Sequence, residues 1–324
     1  MEDSTPEARL SGTELEKDLR FLASDELRGR RAGMPSAEVA ARYIAEQFRS
    51  AGVTGVPGAE DGYFQTVPLN NGKTSRNVIG MIEGTDPELK DEYILLTAHY
   101  DHVGVRSPRG DNGSDTPADS IYNGARDNGM GTIAVIAAAR AFAKKAPKRS
   151  ILLLAVTAEE MGLVGSRYYA ENPLIPHNQV VYNLNVDTGG YSDTSIVTVV
   201  GLGRTSADSL IIQGTKPFGI EPIADPSPGE GLFDRSDNVN FARQGIPAPT
   251  FSPGFRAFSD PGVANYYHQP ADEADDMDYD YLTRFTQAYV HTARIIANAD
   301  EAPHWMPGDK YEEAAKQLYG GGSE

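Results

Sequence analysis

The run YILLTAHYDH, Tyr93 to His102, decides how this chain is read. Its first six residues are almost all apolar, too few for a helix and without the alternation of a strand that shows one face to water. They read as a strand buried on both faces, of the kind found inside a mostly parallel sheet. The composition then changes abruptly to His99, Tyr100, Asp101 and His102. A second such run, Ile151 to Val156, stops just short of Glu159 and Glu160, and a third, Val180 to Val186, is interrupted by Asn183 and Asn185 before it reaches Asp187. Between the first two lies Thr132 to Lys145, Ala-rich with a basic end, a composition that suits a helix and its C-terminal dipole. Strand, helix, strand in this order is the unit of a layered α/β fold.

Working outward, Leu15, Leu19 and Leu22, then Val39, Ala40, Tyr43, Ile44 and Phe48, recur at helical spacing on either side of a basic, glycine-containing loop from Arg28 to Pro35. The stretch from Gly52 to Asn77 reads as irregular and leads into a strand near Asn77 to Glu83. Downstream the pattern predicts a strand at Ile196 to Val200, a helix at Ser206 to Phe218, and a Pro/Gly loop at Pro222 to Phe233. A further strand at Ile246 to Phe251 and a long helix at Tyr281 to Ala299 follow. No repeat or linker divides the chain, so a single domain over residues 14–300 is expected. After it comes a C-terminal tail, 301–324, with an amphipathic piece from Tyr311 to Leu318 and a disordered Gly-Gly-Gly-Ser-Glu end.

The 324 residues carry 46 acidic and 29 basic side chains, a net charge of −17. That balance repels nucleic acid phosphates and anionic lipid. With no cysteine there is no disulfide, thiolate metal site or cysteine nucleophile, and any metal must be held by His and carboxylate. No apolar run approaches the ~20 residues that span a bilayer, and the first residues lack the basic-then-apolar pattern of a signal peptide. A soluble chain with no membrane insertion is expected, its compartment left open: a secreted or periplasmic protein whose leader has been removed reads the same.

Ligands in open α/β sheets gather beyond the carboxyl ends of the strands. There this sequence puts His99, Asp101, Glu159, Glu160 and Asp187, and the glycine-flanked Asp127 of Tyr122-Asn-Gly-Ala-Arg-Asp-Asn-Gly belongs to the same end. His268 follows Tyr266 and Tyr267 in a later loop. Singly, each is an ordinary turn or capping residue. Together, so many carboxylates would repel strongly without a cation among them.

The ordered set His99-Tyr-Asp101, Asn123-Gly-Ala-Arg-Asp127-Asn-Gly, Ala158-Glu159-Glu160-Met-Gly-Leu-Val-Gly-Ser, Asn185-Val-Asp187 and Tyr267-His268 resembles the co-catalytic di-zinc aminopeptidases of the bacterial leucyl aminopeptidase type. That family also includes glutamate carboxypeptidase II, glutaminyl cyclases and the transferrin receptor. The resemblance runs from about Glu14, through Phe21-Leu-Ala-Ser-Asp-Glu-Leu-Arg-Gly-Arg, to about Ala299. It implies a three-layer αβα sandwich with a mostly parallel, mixed central sheet, and two zinc ions bridged by Asp127. His99 and Asp187 would complete one site, and Glu160 and His268 the other. Glu159 would be the general base, Asp101 would orient His99, and Tyr267 would donate a hydrogen bond to the developing oxyanion. The implied substrate is a peptide with a free N-terminus. Carboxypeptidase activity, glutaminyl cyclase chemistry, which uses one zinc, and a non-catalytic peptide-binding role are the family's alternatives. Retention of all five implied ligands and the base favours catalysis.

Some relatives insert a protease-associated domain in the N-terminal half, and Gly52 to Asn77 is too short to hold one. Arg126 stands where the family often has a small residue or Asp, and is expected to form a surface salt link. Asn238 stands where the family frequently has His; Ser236 and Asp237 read first as packing residues, with the pocket wall as the alternative. Tyr266 is given no role. The acidic run Asp272 to Asp280 lacks the spacing of a calcium loop and reads as a solvated, helix-starting segment. Asn112-Gly-Ser is a glycosylation acceptor only in a suitable host.

Overall fold

A computed structural model describes residues 7–70, 72–106 and 119–320. The Asn112-Gly-Ser triplet and the last four residues of the glycine-rich terminus lie outside the described residues. Two helices, α1 (Gly12–Leu22) and α2 (Pro35–Ala51), precede β1 (Phe64–Pro68), β2 (Thr74–Ile82) and β3 (Tyr93–His99). A small ribbon of β4 (Gly104–Val105) and β5 (Ile121–Tyr122) leads to α3 (Gly131–Lys144), β6 (Ser150–Val156), α4 (Val164–Glu171), β7 (Val180–Val186) and β8 (Ile196–Val200). The chain continues through α5 (Asp208–Thr215), β9 (Glu221–Ala224), α6 (Asn238–Arg243), β10 (Thr250–Pro253), α7 (Pro261–Ala264), α8 (Tyr279–Asn298) and α9 (Glu312–Tyr319).

Eight strands form one sheet in the order β1-β2-β6-β3-β7-β10-β8-β9. The central pairs β6–β3, β3–β7 and β7–β10 are parallel, whereas β1–β2, β2–β6 and β10–β8 are antiparallel, so the sheet is mixed around a parallel middle. β3 and β6 are buried on both faces, as their mostly apolar runs predict. Ile94, Leu96, Ala98, Ile151, Leu153 and Ala155 meet the layer built on α1, α2, α3, α5 and α8. Leu95, Leu152, Leu154 and Val156 point the other way, toward Tyr169 of α4 and Val239 and Phe241 of α6. This is the three-layer α/β sandwich expected from the sequence.

The two asparagines that interrupt β7 do not expose it. Asn183 Nδ2 donates to Leu95 O and Thr97 Oγ1, and Asn185 Nδ2 donates to Ser236 Oγ and Thr250 Oγ1. Thr97 Oγ1 in turn donates to Asn185 Oδ1, which links the two asparagines in one polar chain inside the sheet. The stretch read as irregular before Asn77 contains an edge strand, β1, and the Pro/Gly loop contains β9 at the opposite edge. Beyond α8, Trp305 and Tyr311 enter the second core layer, and Tyr319 of α9 donates to Val180 O.

Candidate active site

Because β3, β6 and β7 run parallel, their carboxyl ends open on one edge of the sheet. β3 ends in His99, the loop after β6 carries Glu159 and Glu160, and Asp187 follows β7. The turn entering α3 supplies Asp127, and the loop after α7 supplies His268. Side chains from five separate segments meet there.

Two groups of donors result. His99 Nε2 lies 3.4 Å from Asp127 Oδ1 and 3.3 Å from Asp187 Oδ1. On the other side, His268 Nε2 lies 3.1 Å from Asp127 Oδ2 and 3.0 Å from Glu160 Oε1. Ligands bound tetrahedrally at zinc distances stand about 3.3–3.4 Å apart, so both spacings fit a divalent ion at their centres. Asp127 Oδ2 and Glu160 Oε1 are buried without a hydrogen-bond partner, which a cation would relieve. Asp127 thus has one oxygen in each group.

His102 also joins the second group. Its Nδ1 is 2.9 Å from Glu160 Oε1 and 3.8 Å from Asp127 Oδ2. The sequence puts it in the same polar run as His99 but attaches no role to it. Where a ring just past the end of a strand points depends on the turn that follows, here the one entering the β4–β5 ribbon, and that turn is not legible in composition.

Glu159 lines the cleft beside His99, Asp187, Tyr267 and His268, without belonging to either donor group. Burial, with the nearby carboxylates of Asp187 and Asp237, raises it well above the usual range although the His99 charge opposes the shift. Burial also disfavours charge on His99, but Glu159, Asp127 and Asp187 outweigh it and raise that imidazole well above its ordinary value. Burial works against charge on His268 too, and the carboxylates of Asp127 and Glu160 override it, pushing it up to about 10. Protons on these rings do part of what a metal's charge would do.

Asp101 is fully buried, and burial pushes it up to about 7. Its backbone oxygen is the nearest partner of His99 Nδ1, at 3.1 Å, with the carboxylate at 3.8 Å; Oδ1 instead accepts from Glu159 N at 3.1 Å. Tyr267 stacks on His268, with ring centroids 4.1 Å apart, and meets Phe258 edge-on. Val200, Leu232, Phe255 and Phe258 give the cleft an apolar wall, and Ser236 also lines it, whereas Asp237 is buried against Ser166. Asn238 is buried and donates to Ala248 O.

Three expectations are corrected. Arg126 makes no surface link: it is buried, its guanidinium 3.6 Å from the Tyr266 ring centroid and 3.3 Å from Asp272. Tyr266, given no role, packs on that cation. Asp272, placed in a solvated run, is fully buried and accepts from the backbone N–H groups of Arg126 and Asp127, fixing the loop that carries Asp127. Only the later part of that run behaves as expected, with Asp278 capping α8 by accepting from Tyr281 N.

Residues 77–293 match the model of peptidase family M28, and the chain belongs to that family. The aminopeptidase YwaD of Bacillus subtilis is 27% identical over 213 residues, which take in 65% of this chain and 42% of that protein. The chain spans less than half the length of the curated relatives it matches. Among solved structures, an aminopeptidase from Aneurinibacillus sp. strain AM-1 superposes with a TM-score of 0.68 at 15% identity, covering 94% of this chain and 98% of that one. A glutaminyl cyclase from Bacteroides thetaiotaomicron gives 0.64 at 18% identity, covering 88% and 97%. These superpositions establish a shared fold. Among the described residues no helix is long and apolar enough to cross a membrane.

Proposed function

We propose that this chain is a two-metal exopeptidase that removes the first residue from peptides with a free amino terminus. The observation that carries the proposal is the division of Asp127, whose Oδ1 faces His99 and whose Oδ2 faces His268. In this reading Asp127 is shared, His99 and Asp187 complete one metal position, and Glu160 and His268 complete the other. Two zinc ions held there would acidify a water and polarise the scissile carbonyl.

The protein's own groups do the rest. Glu159, in the cleft and outside both donor groups, takes the proton of the attacking water and delivers it to the leaving amine. Tyr267 donates a hydrogen bond to the carbonyl oxygen as negative charge develops on it. Asp101 holds the backbone of Glu159 and stands beside the ring of His99, positioning base and donor together.

Peptides are the substrate class of the family. The likeness to the aminopeptidase YwaD supports the choice of an aminopeptidase. Two complete donor groups weigh against single-zinc cyclase chemistry. The complete set of donors and base weighs against a binding protein on the same scaffold.

Zinc analysis combined with a panel of free and amino-blocked peptides tests the proposal. The expected outcome is two zinc ions per chain and hydrolysis of free-amino substrates alone. A chain that binds no zinc, or that cleaves blocked and free peptides equally, overturns it.

A further inference from the structure

We infer that His102 is a fourth protein donor to the metal position formed by Asp127, Glu160 and His268, so that the two positions differ in kind. The inference deepens the proposed function and rests on its reading that Asp127 is shared between two ions.

His102 is fully buried, and neither ring nitrogen has a hydrogen-bond partner. Buried imidazoles are ordinarily satisfied, so one that stands beside two carboxylate oxygens without forming a well-aligned hydrogen bond to either calls for an explanation. Its Nδ1 stands 2.9 Å from Glu160 Oε1 and 3.8 Å from Asp127 Oδ2. These lengths bracket the edge of about 3.3–3.4 Å that a tetrahedron of zinc ligands requires. The donor atoms of His102, Asp127, Glu160 and His268 all lie within 4.8 Å of one another. The rings of His102 and His268 approach edge-on, with centroids 5.5 Å apart and planes at 70°, so both can address one point without colliding.

The backbone makes room for this ring. Gly124 has φ 62°, and a Cβ there would stand 2.5 Å from His102 Cγ and closer still to Asp127 O. Glycine is what lets the Asp127 loop and the His102 ring pass so closely.

The opposite position has three protein donors, His99, Asp127 and Asp187, and Asp187 is partly exposed to the cleft. A fourth protein donor strengthens the hold on a zinc ion, and zinc can expand to five-coordination when water or substrate joins, so such a position can bind its metal more firmly than a three-donor one and still take part in the reaction. The His102 side is thus the anchoring position and the His99 side the exchangeable one. A weak chelator should strip the His99 side first.

The test is stepwise zinc binding to the full chain and to His102→Gln, measured by competition with a chromophoric chelator, together with X-ray absorption on the zinc-loaded proteins to count imidazoles. The expected result is that His102→Gln weakens one zinc step by more than ~100-fold, beyond the ~10- to 100-fold typical of an outer hydrogen-bonding partner. The imidazoles over the two ions should fall from three to two. Thermal unfolding of the metal-free proteins guards against a folding defect: the metal-free variant should melt close to the wild type, with a smaller rise on adding zinc. If His102→Gln keeps both zinc affinities within about tenfold, or if the imidazole count is two in both proteins, His102 is not a ligand. If the wild type binds fewer than two zinc ions, the two-metal reading itself fails.

Discussion

His268 Nε2 lies 3.1 Å from Asp127 Oδ2, the carboxylate oxygen that Asp127 turns away from His99. One carboxylate therefore serves two histidines that arrive from chain segments far apart in sequence. If it serves two ions in the same way, Asp127→Ala should lose metal from both positions, whereas Asp187→Ala should lose it from the His99 side. Elemental analysis after gel filtration reads the difference. Full retention of one zinc by Asp127→Ala would count against sharing.

As the proposed general base, Glu159 offers a way to separate metal binding from chemistry. It lines the cleft and belongs to neither donor group, so Glu159→Gln should hold a normal complement of zinc while turnover falls by about 10²- to 10⁴-fold, the usual contribution of a general base. Paired measurements of metal content and kcat test this. Wild-type turnover in the variant would remove Glu159 from the mechanism.

Much of this site is legible in the chain because buried parallel strands announce themselves. β3 and β6 are almost wholly apolar runs, and the residues at and after their ends must emerge at one sheet edge, which is enough to bring His99, Glu159 and Glu160 together. The same logic places Asp187 despite Asn183 and Asn185, whose amide N–H groups are satisfied sideways within the sheet. What could not be read depends on contacts between distant segments. The burial of Asp272 follows from its hydrogen bonds to the Asp127 loop, that of Arg126 from Tyr266 and Asp272, and the direction of His102 from the close passage of Gly124. Edge strands β1 and β9 are short and partly exposed, so neither apolar continuity nor clean alternation marks them.

Arg30 is a case where a basic loop proves to be internal scaffolding. Its guanidinium is fully buried and donates to the backbone oxygens of Tyr100, Leu22, Asn123 and Gly124, tying the turn after His99 to the turn before Asp127. Burial lowers it to about 10, still charged at neutral pH. Arg30→Met strands several buried carbonyls, each costing about 1–3 kcal/mol, so a loss of more than about 3 kcal/mol is expected in urea unfolding. Arg30→Lys should recover only part of it, since an ammonium cannot reproduce the planar fork. If the proposed donors bind zinc, its affinity should fall in both variants, because the carbonyls at stake hold the turns that carry His99 and Asp127. Stability within about 1 kcal/mol of wild type in Arg30→Met would show that these bonds are dispensable.

Glu7 ties the N-terminal segment to α8 and gives the protein an acid-side weakness distinct from its active site. The carboxylate is fully buried, 2.6 Å from Arg294 Nε and 3.1 Å from His291 Nδ1. Burial would raise its pKa, but the hydrogen bonds from His291 and Arg294 and the Arg294 charge prevail and hold it below the ordinary value of 4.5. A carboxylate depressed in the folded state stabilises the fold at pH values above its unfolded pKa, and that contribution disappears as the pH falls through the folded value. Glu7→Gln should therefore be less stable than wild type at neutral pH, and the gap should narrow on acidification below about pH 4.5, where the wild-type carboxylate takes up its proton. Urea unfolding of the metal-free proteins from neutral pH downward measures the gap without interference from zinc release. A gap that stays constant into the acid range would mean that Glu7 contributes by packing rather than by charge.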